Sequence, residues 1–238
     1  MSSGEESSTR SAPIMAAENL GRVLPGEVPV TLVQEITLAV ERGEFVVIMG
    51  PSGSGKSSLL YLLGLLDTPT SGRVLLDGRD TSGFGEDDLA TTRLQKLGFV
   101  FQFHFLLAEF SVLENVLLPI RRLGVLGEDA ARSRAEKLLD QFGLREHLRK
   151  RPHQISGGQR QRAAIARALA NDPPIILADE PTGNLDTHAS ANVRQILHDL
   201  TREMGKTVIA VTHDLTFAKA ADRIIGIVDG RIDPDWRA

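Results

Sequence analysis

Gly50-Pro51-Ser52-Gly53-Ser54-Gly55-Lys56-Ser57 lies between two apolar runs, Phe45-Val46-Val47-Ile48-Met49 before it and Leu59-Leu60-Tyr61-Leu62-Leu63 after it. The order reads as strand, glycine-rich turn and helix. It fits the phosphate-loop pattern G-x-x-x-x-G-K-[ST] in the context that pattern requires. Glycines let the main chain approach a polyphosphate with no Cβ in the way. The N–H groups of the turn and of the helix start turn positive potential toward an anion. In such a loop Lys56 reaches the β- and γ-phosphates and the Ser57 hydroxyl ligates Mg²⁺. An ordinary Gly/Ser turn is the plain alternative. The alignment of strand, turn and helix argues against it.

Bulk composition narrows the rest. The 238 residues suffice for one large domain or two modest ones, and 42% of them are apolar, enough for a sizeable core. A net charge of −4 leaves no global basic field for nucleic acid. Cysteine is absent, which excludes disulfides, thiolate metal sites and a cysteine nucleophile. No apolar run approaches the length of a membrane span. The start, Met1 to Pro13, is Ser/Glu-rich and lacks the apolar core of a signal peptide. These features read as a cytosolic protein whose membrane role, if any, comes through a partner.

Residues 1–15 are expected to form a disordered polar tail, and 16–238 a single domain. Thr31-Leu32-Val33, Ile36 to Val40 and Arg73 to Gly78 read as strands or strand ends. Leu97 to Phe101, Ile175 to Ala178 and Val208 to Val211 read as buried strands, and Ile224 to Ile232 as a closing hairpin. Helices are expected over Asp87 to Lys96, Gly157 to Ala170, Ala189 to Met204 and Thr216 to Ala221. Between about 103 and 152 the chain reads as helical, with a 3.6-residue stripe at Ala131, Ala135, Leu138, Leu139 and Phe142 and a C-capping Gly143. Apolar strands alternating with helices imply an α/β fold with a mostly parallel sheet covered on both faces, interrupted by a helical subdomain.

The chemistry collects at strand ends. Asp179 and Glu180 close an apolar strand, where ligands gather in an open α/β sheet. Beside a phosphate loop, Asp179 is a Mg²⁺ ligand and Glu180 a base or water-orienting group. A solvated acidic strand end is the alternative. His213 closes the next apolar strand and is a candidate γ-phosphate contact. Gln102 closes another, where its amide either ligates Mg²⁺ or orients a water. Ile155-Ser156-Gly157-Gly158-Gln159 is a second phosphate-ready helix start. A monomer with one nucleotide does not need both starts. A dimer does, if each copy offers its second start to the nucleotide held by the other.

From Val28 to Ile232 the chain resembles the nucleotide-binding subunit of an ABC transporter. Gly50 to Ser57 matches Walker A, and Gln102 the Q-loop. Ile155 to Gln159 matches the LSGGQ signature with Ile for Leu. Ile175 to Asp179 with Glu180 matches Walker B and its glutamate, Asn184-Leu185-Asp186 the D-loop, and His213 the switch histidine. Gly64-Leu65-Leu66-Asp67-Thr68-Pro69-Thr70-Ser71-Gly72, Leu113-Glu114-Asn115-Val116 and Ala178 to Asp186 are similar to the lipoprotein-releasing (LolD-type) and macrolide-exporter (MacB-type) branch. Gln102-Phe103-His104-Phe105-Leu106-Leu107 most resembles the lipoprotein-releasing subunit.

The resemblance implies a P-loop cassette with an antiparallel β part, a mainly parallel core sheet and an inserted helical subdomain. It implies an ATPase using ATP and Mg²⁺. Gly50, Pro51, Ser52, Gly53, Ser54, Gly55, Lys56, Ser57, Ser58 and Gln102 would hold the nucleotide. Ser156, Gly157, Gly158, Gln159 and Asp186 would complete the site across a dimer of two copies. Glu180, His213 and Lys56 would act in catalysis, and Ser57, Gln102 and Asp179 at the metal. The partners implied are a second copy and an integral membrane permease, with the chain peripheral on the cytoplasmic face and no nucleic acid expected. Phe103, Phe105 and Leu106 would be either subdomain core or permease contact.

Two further features depart from the family. Its adenine-stacking aromatic should fall near Arg22, Val23 or Leu24, yet no aromatic occurs between Met1 and Phe45. Ser58 replaces the usual Thr. A rival reading is a soluble ABC ATPase acting on nucleic acid or ribosomes. The basic run Arg145, Arg149, Lys150, Arg151 is its best support, and a solvated face is the plainer account. A small-molecule kinase leaves the signature stretch unexplained.

Overall fold

The apolar runs become the strands of one sheet, and side-chain alternation decides what covers each face. The computed structural model describes residues 12–236. In order these are β1 (Met15–Leu24), β2 (Val30–Val40), β3 (Phe45–Met49), α1 (Lys56–Leu63), β4 (Ser71–Leu76) and β5 (Arg79–Asp80). Next come α2 (Glu86–Lys96), β6 (Leu97–Phe101), α3 (Val112–Leu123), α4 (Glu128–Gln141), α5 (Gly157–Ala168) and β7 (Ile175–Asp179). The chain closes with α6 (Thr187–Arg202), β8 (Thr207–Val211), α7 (Leu215–Ala218), β9 (Arg223–Val228) and β10 (Arg231–Ile232).

Among the described residues, six strands form a sheet in the order β10-β9-β3-β8-β7-β6, parallel from β9 to β6 with β10 antiparallel beside β9. Successive side chains of a strand point to opposite faces. Val46 and Ile48 of β3 therefore join α1 and the antiparallel sheet β2-β1-β4-β5 in one core. Phe45, Val47 and Met49 join Ile165, Val193, Leu197 and Phe217 of α5, α6 and α7 in the core on the other side. A third cluster unites α3, α4 and α5 through Val116, Ile120, Ala135, Leu139 and Ala163. Register aligns the strand ends: Phe101 pairs with Asp179, Asp179 with Val211, and Ile48 with Val211. The residues just beyond these ends share one edge of the sheet.

Local differences have local causes. β1 has no counterpart among the expected strands. Its sequence Met-Ala-Ala-Glu-Asn-Leu-Gly-Arg-Val-Leu has one β-branched residue, and it is extended because β2 and β4 pair with it on both sides. The expected strands at 31–33 and 36–40 are one strand, bent at Glu35 with φ 53°. Helix α3 runs through Pro119, started by a capping box in which Ser111 and Glu114 satisfy each other's main chain. Residues 103–111 are not helical, since Asn115, fully buried, ties that segment by accepting from Leu107 N–H (2.7 Å) and donating to Leu107, Phe110 and Ser111 carbonyls. Of the expected polar tail, 1–11 lie outside the described residues. At its expected end Ile14 and Met15 are buried.

Candidate nucleotide site

The loop after β3 has the backbone of an anion cradle. Gly50, Gly53 and Gly55 have φ of 151°, 78° and 95°. A Cβ at Gly50 would stand 2.0 Å from the Ile227 carbonyl oxygen, and one at Gly55 2.1 Å from that of Leu32. No other residue fits at either position. Helix α1 starts at Lys56 with no side-chain cap and no acidic residue in its first turn, leaving its N–H groups to an anion. Lys56 Nζ lies folded over the loop, donating to the carbonyls of Gly50 (2.9 Å) and Pro51 (2.6 Å). Burial lowers the Lys56 pKa, against the opposing charges of Glu180 and Asp179. The Ser54 hydroxyl is buried without a partner. Ser58 follows on α1, half-buried.

The acidic side comes from the end of β7. Asp179 is buried, and its two oxygens accept from two residues of α1: Oδ1 from the Ser57 hydroxyl (2.8 Å) and Oδ2 from the Tyr61 phenol (2.7 Å). Burial, then the hydrogen bond to Asp179 and its charge, push the phenol up to about 12. Glu180 has φ 45°, a sparsely populated value for a residue with a Cβ, and is held there by its N–H to Val211 carbonyl (2.9 Å). Its Oε1 lies 2.9 Å from His213 Nδ1, and its Oε2 is buried without a partner. Gln102 reaches the same edge, but its amide is turned to Asn184 Oδ1 (3.4 Å) and against Gly183 rather than to Asp179. Among the described residues no group of three or more His, Asp or Glu side chains forms a metal cluster. Ser57 and Asp179 instead offer two hard oxygen donors beside the cradle, a set that fits Mg²⁺, which fills its octahedron with phosphate and water.

The second helix start is built differently. Ser156 caps α5 in a capping box: its hydroxyl accepts from Gln159 N–H (3.2 Å), and Gln159 Oε1 accepts from Ser156 N–H (2.8 Å). Gly158 packs on α6, where a Cβ would meet the Ala189 Cβ at 2.9 Å. Gly157 lies beside Leu185. Asp186 is the N-cap of α6, accepting from Ala189 N–H (2.8 Å). Among the described residues no hydrogen bond or ion pair joins the loop 50–57 to 156–159. The structure thus groups Lys56, Ser57, Asp179, Glu180 and His213, and leaves the Ser156 helix start and Asp186 apart from them.

On the other flank, Arg22 donates to Asp67 (2.7 Å) while Leu24 stays exposed. In the basic run, Arg145 pairs with Asp140 (3.1 Å). Residues that sequence reading passed over hold the site's frame. Gln161, buried on α5, donates to the carbonyls of Phe101 (3.0 Å) and Pro181 (2.9 Å), tying the segment before Gln102 to the one after Glu180. Arg167 donates to the carbonyls of His104 (2.8 Å) and Phe105 (2.5 Å). A polar residue on an otherwise apolar helix face, as at Gln161 and Asn115, was the available signal. Tyr61, in its apolar run, gave none.

Residues 33–183 match the family described as ABC transporter. The chain is 51% identical over 205 residues to lipoprotein-releasing system ATP-binding protein LolD 1 of Chlorobium chlorochromatii, covering 86% of this chain and 83% of that protein. It is 47% identical over 223 residues to macrolide export ATP-binding/permease protein MacB of Bartonella henselae, covering 93% of this chain but 34% of that longer protein. Among solved structures it is similar to the ATP-binding cassette MJ0796, seen as a dimer in a post-hydrolysis state bound to ADP and Pi. That likeness has a TM-score of 0.86 and 43% identity over 92% of this chain and 96% of that one.

Proposed function

The chain belongs to the ABC transporter family as an ATP-hydrolysing subunit, and from that premise we propose that it powers lipoprotein release through a membrane permease, as an ATP-sandwich dimer. The observation that carries the mechanism is the meeting of Ser57, Asp179, Glu180 and His213 at the end of aligned strands, with the capped Ser156 helix start not bonded to that group.

ATP is held through its phosphates by the N–H groups of 53–57, and Lys56 exchanges its carbonyl partners at Gly50 and Pro51 for phosphate oxygens. Mg²⁺ would be held by Ser57 and Asp179, with Gln102 nearby, and would supply charge neutralisation at the transferred phosphoryl group. Glu180 orients the attacking water and takes its proton at Oε2, the oxygen without a protein partner. His213 holds Oε1 and is exposed, and contacts the γ-phosphate in this reading. The second copy closes the site with the N–H groups of Gly157 and Gly158 and the Ser156 hydroxyl, while Gln159 holds that helix start in shape through its capping box, and Asp186 links the two halves. The chain itself has no helix, among the described residues, long and apolar enough to cross a membrane. Phe103 (63% exposed), Phe105 (61%) and a cavity of about 440 Å³ between α2, β6 and α3 suit a permease segment. The chain then sits peripherally on the cytoplasmic face. Lipoprotein as cargo is supported by the 102–107 hexapeptide and by the LolD relatives.

Glu180→Gln tests the mechanism. The variant is expected to bind ATP and accumulate a closed dimer without turnover; wild-type turnover would remove Glu180 from its role.

A further inference from the structure

Tyr61 is the only tyrosine of the chain, and it touches two systems at once. Its hydroxyl donates to Asp179 Oδ2 at 2.7 Å, while Ser57 holds the other carboxylate oxygen. Its ring meets Phe101 edge-on, with centroids 6.4 Å apart and planes at 65°. Phe101 stacks on Phe99 (5.9 Å, 4°) and meets Phe105 edge-on (5.4 Å, 77°). Phe105 leans on Phe103 at 6.4 Å. Phe99 and Phe101 also line the 440 Å³ cavity, and Phe103 and Phe105 are exposed on the surface. An unbroken row of aromatic contacts thus runs from the Asp179 carboxylate to the surface.

We propose that Tyr61 is a positioning residue that couples the carboxylate of Asp179 to the exposed aromatic surface at Phe103 and Phe105. The inference rests on the reading of Asp179 as a Mg²⁺ ligand. A cation drawing on Asp179 competes with the phenol O–H for the same carboxylate. The phenol oxygen lies in the plane of a rigid ring, so a hydroxyl that shifts carries the ring with it. Phe101 is the ring in contact, and Phe105 is next. The same contacts work in reverse: a partner that holds Phe105 and Phe103 biases the orientation of Tyr61, and through it that of Asp179. Both directions are required of any coupling between two sites. The physical warrant is contact plus reciprocity, and it calls for a coupling measurement.

The single tyrosine makes the test direct. In the full chain labelled with [¹³Cζ]-tyrosine, one resonance reports Tyr61. It is expected to shift with ATP and Mg²⁺ and to stay in place with ATP and EDTA. A resonance unmoved by Mg²⁺ and ATP overturns the proposal. Calorimetric ATP binding at graded Mg²⁺ supplies the second readout. Tyr61→Phe keeps the ring and removes the hydroxyl, so nothing competes with the cation for that oxygen, and it is expected to lower the Mg²⁺ needed for half-maximal binding by about tenfold or more, the weight of one hydrogen bond to a charged group. Phe105→Ala, remote from the nucleotide, is expected to change it several-fold in the wild-type background and not at all in Tyr61→Phe. Additive effects of the two substitutions overturn the coupling. Asp179→Asn separates the two readings: if it leaves the Mg²⁺ dependence unchanged, the metal assignment falls. If it abolishes the dependence while Tyr61→Phe has no effect, the role of Tyr61 alone falls.

Discussion

His213 Nδ1 stands 2.9 Å from Oε1 of Glu180, leaving Oε2 as the buried oxygen without a partner. The histidine occupies one carboxylate oxygen and holds the orientation of the other. His213→Ala is therefore expected to lower kcat about 100-fold, in the range of positioned acid–base groups, with ATP affinity changed only a few-fold. Steady-state hydrolysis and equilibrium binding of ATP check this. A loss confined to affinity would mean that His213 holds the nucleotide and does not orient the base.

On the proposed reading the base of ATP lies beside residues 22–24, where the family's aromatic is missing. Arg22 is engaged with Asp67, so of the positions near the expected aromatic, Leu24 is the exposed one. Leu24→Tyr is expected to tighten ATP binding by about 1–3 kcal/mol, the usual weight of stacking on a base. Comparison of ATP and inorganic triphosphate by calorimetry isolates the effect, since triphosphate has no base to stack.

Acid stability tests the foot of the phosphate-loop strand. Asp222 accepts from the Phe45 N–H (2.9 Å) and from Arg202, at the start of β3. Burial by itself raises its pKa; the Phe45 and Arg202 hydrogen bonds and the Arg202 charge outweigh that, and the net shift is downward. A carboxylate whose folded pKa is depressed stabilises the fold above its unfolded pKa of about 3.9 and loses that contribution as pH falls through the folded value. Asp222→Asn is expected to lower Tm at pH 7 and to flatten the fall of Tm below pH 4. Thermal melts between pH 7 and pH 3 measure both; an unchanged acid limb would contradict it.

Much of the site was legible because its signals are local. A glycine needed for a close backbone approach, a serine at a helix start and an acid at a strand end are each read from neighbours in the chain. The apolar runs of β3, β6, β7 and β8 were legible for the same reason. β1 was not, because Met15–Leu24 is extended by its pairing with β2 and β4 and not by its own residues. The role of Tyr61 was not legible either: its partner Asp179 is 118 residues away, and nothing near Tyr61 marks a polar contact. Arg22 likewise finds Asp67 across 45 residues, a pairing created by the fold. The orientation of the Gln102 amide toward Asn184 belongs to the same class.

The central claim is that a complete site takes its cradle from one copy and its Ser156 helix start from another. Mixing two defective chains tests it most directly. Lys56→Ala spoils the cradle, and Ser156→Arg spoils the second helix start. Each alone is expected to leave no working site, and a mixture restores one intact site per mixed dimer, so ATP hydrolysis returns on mixing. Hydrolysis at the wild-type rate by Ser156→Arg alone would contradict the composite site.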